Sequence, residues 1–467
     1  MKRKSYEEMR DLFLKSFSEG KWEEAIVWST ELLQLTPDEP RLWAQRGNAV
    51  QQMGHPVDAI LHFEKALIGE EEPTQIAAMH TNLGACYWDM WQHEKALKHL
   101  NLALDAEPLA ATYLTMGNIH KYKNNLDKAI GFYRKSVELD PNYADAHMVL
   151  GMTLIKNGYL KEGFKEFEWR WKTNQLPLRK LKCPTWVGED PTDKTILVYG
   201  EQGFGDIIQF SRYAKHLAAR FPKAKVIVEG RPQLKRLLES MEGIHQVINL
   251  GEKLPELDFA VPMITLAGMM TPNMGAIPAS DNKFNLKPEH VEAWKYWLEE
   301  LPPGLRVGIC WSGMRRDNSP HNAAVDKLRS VQLETFSALA KIPGIMWVSL
   351  QKGPPAEQVK TPPAGMIIAD LTEDMYDFYE TACAIENLDL VISVDTAVVH
   401  LAASLGKPTW LLSRWDGCWR WFGDREDSPW YPSLRQFVQP KPHDWGGLVE
   451  KVSSCLKQEV LDNTMDK

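Results

Sequence analysis

The sequence is short of cysteine, and none of its cysteines is paired for metal or redox work. Cys86, Cys183, Cys310, Cys383, Cys418 and Cys455 include no C-x-x-C pair, so neither a zinc site nor a redox dithiol is expected, and no metal. No run of about 18 apolar residues occurs, which leaves nothing to span a membrane. The opening stretch, Met1 to Phe13, is charged and lacks the apolar core of a signal peptide. These absences predict a reduced, cytoplasmic chain. Basic charge is not in surplus either. Lys and Arg number 54 against 62 Asp and Glu, a net charge of −8, whereas a general nucleic-acid binder needs a basic face. That balance still allows a local basic pocket for a nucleotide diphosphate.

What is present is a long, ordinary globular composition. At 467 residues the chain exceeds one core and predicts several domains, and 44% hydrophobic with 25% charged residues argues against wholesale disorder. Eighteen tryptophans belong in cores or in a cleft, since exposed they would be a solubility liability.

The first third repeats. Gly47, Gly84, Gly117 and Gly151 recur at 84−47=37, 117−84=33 and 151−117=34. Ala59, Ala96, Ala129 and Gly163 keep the same intervals, as do Phe63, Leu100, Tyr133 and Phe167. Each unit reads as a helix pair, the small residue allowing close approach and the large one filling the space beside it. Pro37, Pro108 and Pro141 fall near unit ends, where proline stops a helix. With an earlier unit around Gly20, Trp22 and Ala25, about five units fill 5–171, and the excess near Glu70–Glu72 predicts a lengthened turn. The spacing resembles that of tetratricopeptide repeats. Such stacks leave a concave groove that takes a peptide or protein; a plain spacer or dimerisation element is the alternative.

Pro177, Pro184, Gly188 and Pro191 break the pattern, so 172–192 is expected to be a linker. Beyond it, strand and helix alternate. Thr195–Gly200, Val226–Glu229 and Gln246–Leu250 read as strands, with helices at Asp206–Phe221 and Gln233–Ser240. A second series starts at Arg306–Trp311. It runs through helix Gln332–Lys341, strand Met346–Leu350, helix Phe378–Glu386, strand Leu390–Val394, helix Ala397–Leu405 and strand Thr409–Leu412 to an amphipathic helix at Trp445–Val460. Pro302-Pro303-Gly304 separates halves 193–302 and 303–467. The expected class is a helical solenoid followed by two Rossmann-like α/β halves, with ligands at the C-terminal strand ends.

Two strand–helix junctions carry chemistry. In Tyr199-Gly-Glu-Gln-Gly-Phe-Gly-Asp206, Gly203 and Gly205 permit a tight loop, and Asp206 falls at the helix start, as N-cap or in the first turn, where a capping aspartate is favoured. The spacing matches neither a Walker loop nor G-x-G-x-x-G. In Leu390-Val-Ile-Ser-Val-Asp-Thr-Ala-Val-Val-His-Leu-Ala-Ala403, a buried strand ends at Asp395, and Thr396 or Ala397 opens a helix whose free amides suit a diphosphate. His400 lies one turn on, either a core residue or a ligand contact.

These residues carry a resemblance. Asp395-Thr396-Ala397-x-x-His400 is similar to the nucleotide-sugar motif of family 9 glycosyltransferases, the lipopolysaccharide heptosyltransferases, and Gly205-Asp206 to that family's Gly-Asp motif. Val307–Gly313, Leu328–Ser330 and Val348–Gly353 resemble segments of tetratricopeptide-linked relatives. The resemblance implies a GT-B fold, no essential metal or other cofactor, a nucleotide-sugar co-substrate transferred with inversion, and Asp206 as base. Donor contacts would fall to Asp395, Thr396, Ala397 and His400, with Lys352 and Arg329 as cations. The stretch Arg315–Lys327 departs from the family's basic segment, leaving open which of Arg316, Lys327 or Arg329 meets phosphate, and whether the sugar is a heptose. The tryptophan-rich stretch from Trp410 to Tyr431 is expected mainly to pack, and Asp416, Asp424, Glu426 and Asp427 to be solvated loop charges. The leading expectation is a bacterial protein glycosyltransferase whose repeats hold the acceptor. The alternatives are a glycan transferase with repeats for assembly, and a non-catalytic scaffold.

Overall fold

In the first third of the chain the repeat spacing is a packing rule. A computed structural model describes residues 4–173, 178–278, 284–314, 320–423 and 425–465, and the chain divides into two compact units, Met1–Thr153 and Leu154–Lys467. Helices α1 (Tyr6–Ser18), α2 (Trp22–Leu35), α3 (Pro40–Gln52), α4 (Pro56–Leu67), α5 (Pro73–Asp89), α6 (His93–Ala106), α7 (Ala110–Tyr122) and α8 (Leu126–Leu139) form four hairpins, and α9 (Ala144–Lys156) begins a fifth. A Cβ on Gly47 would sit 2.7 Å from the Phe63 ring, and one on Gly84 would sit 2.7 Å from Leu100; Gly117 meets Tyr133 in the same way. Only glycine fits there. Ala59, Ala96 and Ala129 are wholly buried. Starts are set locally: Ser5 and Glu8 form a reciprocal capping box on α1, and proline opens α3, α4 and α5. The extra residues near Glu70–Glu72 lie in the connection before α5, whose first amides are accepted by the Glu72 carboxylate.

The fifth repeat of the sequence reading is divided. Its second helix, α10 (Leu160–Phe167), lies in the other unit, so the compact boundary falls at Thr153 rather than at Trp171. The reason is its buried face. Phe164 sits where a Cβ on Gly268 would come within 2.8 Å, and Arg170, just past the helix, is fully buried among Glu201, Glu168 and Thr265. The expected linker is also packed in part, since Trp186 donates its backbone N–H to Ala260 and is buried.

The rest of this unit is two parallel sheets. The first contains β1 (Thr195–Tyr199), β2 (Lys225–Gly230), β3 (Gln246–Asn249) and β4 (Phe259–Pro262), in the order β3-β2-β1-β4. Its helices are α11 (Phe204–Arg220), α12 (Lys235–Glu239) and α13 (Met263–Met270); α14 (Pro288–Glu299) follows them in the chain but packs on the second half, where Trp294 donates to Glu380. The second contains β5 (Leu305–Cys310), β6 (Ile345–Ser349), β7 (Ile368–Asp370), β8 (Leu390–Val394), β9 (Thr409–Ser413) and β10 (Leu434–Val438), in the order β10-β9-β8-β5-β6-β7. Its helices are α15 (Pro320–Arg329), α16 (Ser337–Ala340), α17 (Phe378–Ile385), α18 (Ala397–Ser404) and α19 (Trp445–Met465). Leu448, Val449, Val452 and Leu456 of α19 join the core of the second sheet, which closes that half. Strands buried on both faces need near-continuous apolar runs, which is why β1, β6, β8 and β9 are legible in sequence. The runs of β4 and β7 are too short to stand out, and Arg435 and Gln436 interrupt β10. The expected helix Gln332–Lys341 is a 3₁₀ turn, Leu333–Phe336, followed by the single turn of α16.

Candidate active site

Each sheet has a point where the strand order reverses, between β1 and β4 in the first and between β5 and β8 in the second. Loops leaving the carboxyl ends there diverge and open a crevice. The glycine loop after β1 and the Asp395–Thr396 junction after β8 occupy these two positions.

α11 begins at Phe204, two residues before the expected start, with Gly203 as its N-cap. That places Asp206 in the first turn, where Oδ2 accepts the Gly203 N–H at 3.1 Å. Asp206 therefore does cap the helix. Its other oxygen forms an ion pair with the Arg420 guanidinium, the two side chains being 14% and 12% exposed. Arg420 also donates to Gln202 Oε1 at 3.1 Å and to Cys418 Sγ at 2.9 Å. Burial would depress that guanidinium, but Asp206, then Cys418 and Asp395, hold it above its ordinary value. The glycine loop is tied from behind as well. The Glu201 carboxylate takes three hydrogen bonds from Arg170 and one from the Ile264 N–H. Burial raises its pKa to about 7, with Arg170 opposing.

Across the seam, Thr396 is the N-cap of α18 and makes no side-chain cap bond; its hydroxyl lies 3.0 Å from Ser393 Oγ. A Cβ on Gly205 would come within 2.7 Å of His400 Cδ2 and 3.6 Å of Ala397 Cα. The first turns of α11 and α18 are thus in direct contact. Of the two readings left open for His400, the structure describes an enclosed side chain. It is 4% exposed, stacked on Trp421 at 4.7 Å and hydrogen-bonded through Nδ1 to the Tyr431 hydroxyl at 3.0 Å. Its Nε2 lies 4.0 Å from Asp395 Oδ1. Burial first, then the charges of Arg420, Arg212 and Arg329, hold it well below its usual pKa, so it is neutral.

The expected cations are engaged elsewhere. Arg329 pairs with Asp326 at 2.8 Å, donates to the Asp395 carbonyl at 3.1 Å and packs on Gly313, bracing the β5 loop against the β8 loop. Lys352 is exposed, and its ammonium is bonded to the Thr372 carbonyl. Lys327 is exposed, and Arg316 lies outside the described residues. Asp206, Gly203, Gly205, Asp395, Ala397 and His400 come together, whereas Lys352 does not join them.

Residues that sequence reasoning missed complete the seam. Arg420 is the main one, hidden in a stretch read as packing. Arg212 is buried, donates to the Trp430 carbonyl at 2.7 Å and lies over the Tyr431 ring at 4.7 Å. Gln351 Oε1 accepts the Trp311 and Ser312 N–H groups at 3.0 and 2.8 Å, and its Nε2 donates to the Ser312 carbonyl at 3.0 Å, so it shapes the loop after β5. A buried arginine on an apolar helix, as at Arg212, is the one signal that could have been read. Among the described residues no group of three or more His, Cys, Asp or Glu side chains is placed to hold a metal, and no helix is long and apolar enough to cross a membrane.

Comparison with known proteins adds the following. Residues 117–158 match the family model described as TPR repeat. Protein FlbA of Caulobacter vibrioides is 23% identical over 91% of this chain and 80% of its own length. A family 9 glycosyl transferase from Veillonella parvula is 12% identical with a TM-score of 0.43, covering 58% of this chain and 99% of that one. The E. coli ADP-heptose lps heptosyltransferase II is 13% identical with a TM-score of 0.44 and the same coverage. The chain thus carries a segment that matches the TPR repeat, followed by two parallel sheets, each with its own switch point.

Proposed function

We propose that the chain is an inverting, metal-independent glycosyltransferase that moves a sugar from a nucleotide-sugar donor to an acceptor hydroxyl. The observation that carries this is the meeting of the Asp206 turn with the first turn of α18, where Gly205 touches Ala397 and His400. One half supplies a carboxylate, and the other supplies unsatisfied helix amides with the Thr396 hydroxyl. A base and an anion site are the two parts such a transfer needs. The acceptor oxygen would bond to the anomeric carbon as the bond from that carbon to the diphosphate breaks. The electron pair leaves with the diphosphate, and the hydroxyl proton passes to Asp206. Attack opposite the leaving group inverts the centre.

The repeats favour a protein acceptor, because a stacked helical array offers an extended surface that a sugar does not require. A glycan acceptor, with repeats used for assembly, is the second reading. The test is thermal unfolding of the full chain with a panel of UDP-, GDP-, ADP- and CMP-sugars. A true donor at 100 times its Kd stabilises by about 2.7 kcal/mol, and the same donor should be consumed only when host protein is added. No shift with any nucleotide sugar would remove the transferase reading. Consumption driven by saccharide or lipid but not by protein would replace the protein acceptor.

A further inference from the structure

Arg420 stands on the 3₁₀ turn Trp419–Trp421, in the excursion between β9 and β10. It reaches from the second half to the first, ending on Asp206 and Gln202. Its guanidinium lies over the Trp419 ring at 4.4 Å, and the Trp419 ring packs in turn on Phe167 at 5.4 Å and Phe210 at 6.2 Å. The turn is therefore anchored while the guanidinium spans the seam. Its charge is the largest of those acting on His400, and Asp395 acts on it in return. Arg420 thus lies within electrostatic reach of the α18 entrance and in contact with the carboxylate expected to act as base.

Two features make this more than a structural ion pair. The Asp206 oxygen that does not cap α11 is covered by the Arg420 guanidinium and is not open to an acceptor hydroxyl, so the pairing opposes the role given to Asp206. Furthermore, one arm of Arg420 ends on the Cys418 sulfur, a weak acceptor that a phosphate oxygen would readily displace. Of the other cations near this entrance, Arg329 is held by Asp326 and the Asp395 carbonyl. Arg212 gives one nitrogen to the Trp430 carbonyl and keeps its buried Nη2 without a hydrogen-bond partner among the described residues; neither arginine touches the Asp206 carboxylate as Arg420 does.

We propose that Arg420 is the diphosphate cation of this site and acts by exchange: without donor it neutralises Asp206, and the donor's diphosphate draws it off the carboxylate, freeing Asp206 to take the acceptor proton. This rests on the glycosyltransferase reading of the site. It ties base activation to donor binding. In an empty site the guanidinium covers the Asp206 oxygen, and in a loaded one that oxygen is open to the acceptor beside a neutralised leaving group. No covalent change accompanies the exchange; one anion replaces another on the same guanidinium.

The test is calorimetric binding of a nucleoside diphosphate alone, using whichever of UDP, GDP and ADP binds the full-length wild type most tightly. Arg420→Gln should weaken it at least about ten-fold, the usual cost of losing a charged hydrogen bond. Arg420→Lys should recover part of that loss, and the phosphate-free nucleoside should be indifferent to both changes. Asp206→Asn should do the opposite and tighten diphosphate binding several-fold, because the carboxylate no longer competes for the guanidinium. A merely structural pair would not produce this tightening. If Arg420→Gln leaves a buried charge and unfolds, the double variant Asp206→Asn/Arg420→Gln keeps the seam neutral and should bind as weakly as expected for Arg420→Gln. Unchanged affinity in Arg420→Gln or in the double variant overturns the proposal, as does unchanged or weaker affinity in Asp206→Asn. Absence of any nucleoside diphosphate binding to wild type would overturn the proposal, and absence of a thermal shift with every nucleotide sugar as well would overturn the transferase reading along with it.

Discussion

At the scale of single residues, one carboxylate is asked to do three things. Asp206 closes the first turn of α11, pairs with Arg420 and, in the proposed reaction, takes a proton. Asparagine preserves the first role, since its carbonyl oxygen accepts the Gly203 N–H, but abolishes the third. Asp206→Asn should therefore lower turnover by about 10²–10⁴-fold, the range for a lost general base, measured as initial rates of donor consumption. A carboxylate that only capped the helix would leave the stability of this variant little changed. The ion pair modifies that expectation, because Arg420 would remain largely buried without its counter-charge. A loss of about 1–3 kcal/mol is expected, read as a lower melting temperature. Activity within a few-fold of wild type would leave Asp206 as a cap and an ion-pair partner only.

At the scale of one element, α18 divides its polar residues between two tasks. Thr396 stands at the entrance without a cap bond, whereas His400 faces inward against Trp421 and Tyr431. Substitutions should separate accordingly. Thr396→Val should weaken donor binding with little change in stability. His400→Ala should cost about 2–4 kcal/mol, because it opens a cavity beside Trp421 and removes one hydrogen bond of the Tyr431 hydroxyl. The same helix confers acid sensitivity. The folded pKa of His400 lies below its unfolded value of 6.5, so below that pH the unfolded chain binds more protons than the folded one. Its contribution is complete above pH 6.5 and is lost as pH falls, by at most about 1.4 kcal/mol per pH unit. The drop in melting temperature of the second unit between pH 7.5 and 5.5 should shrink in His400→Gln. An identical drop in wild type and variant would show that His400 titrates normally in the folded protein.

At the scale of the whole molecule, the position of the boundary decides which truncations survive. The second unit starts at Leu154, and its first residues are bound into it. Lys156 donates to the Asp416 carbonyl at 2.5 Å and accepts the Gly423 N–H at 3.0 Å, on either side of the Arg420 turn. Phe164 and Phe167 pack beside Trp419. Removing residues 1–153 should leave nucleotide-sugar affinity within a few-fold of wild type and abolish transfer to a protein acceptor. Removing residues 1–168 should also strip the support of the Arg420 turn and expose the apolar face of α13. That fragment should aggregate, or bind donor far more weakly, in a side-by-side comparison by gel filtration and calorimetry. Equal behaviour of the two fragments would move the functional boundary back to Trp171.

The sequence by itself determined what depends on neighbours along the chain. The glycine and aromatic series specify helix hairpins because a Cβ on Gly47 or Gly84 has no room beside Phe63 or Leu100. The apolar runs of β1, β6, β8 and β9 specify buried parallel strands. The Gly203–Asp206 and Asp395–Ala397 junctions are visible because a strand gives way to a helix within a few residues. Tertiary structure alone decided which charges meet and which side chains lose water. Asp206 and Arg420 lie 420−206=214 positions apart, and no periodicity encodes that they pair. His400 looks equally fit for a cleft or a core until Trp421 and Tyr431 enclose it, and Arg329 looks free until the Asp395 carbonyl, 66 positions away, takes one of its N–H groups. Backbone pattern is a local property of the chain. Burial and electrostatic partnership belong to the surfaces that folding brings into contact.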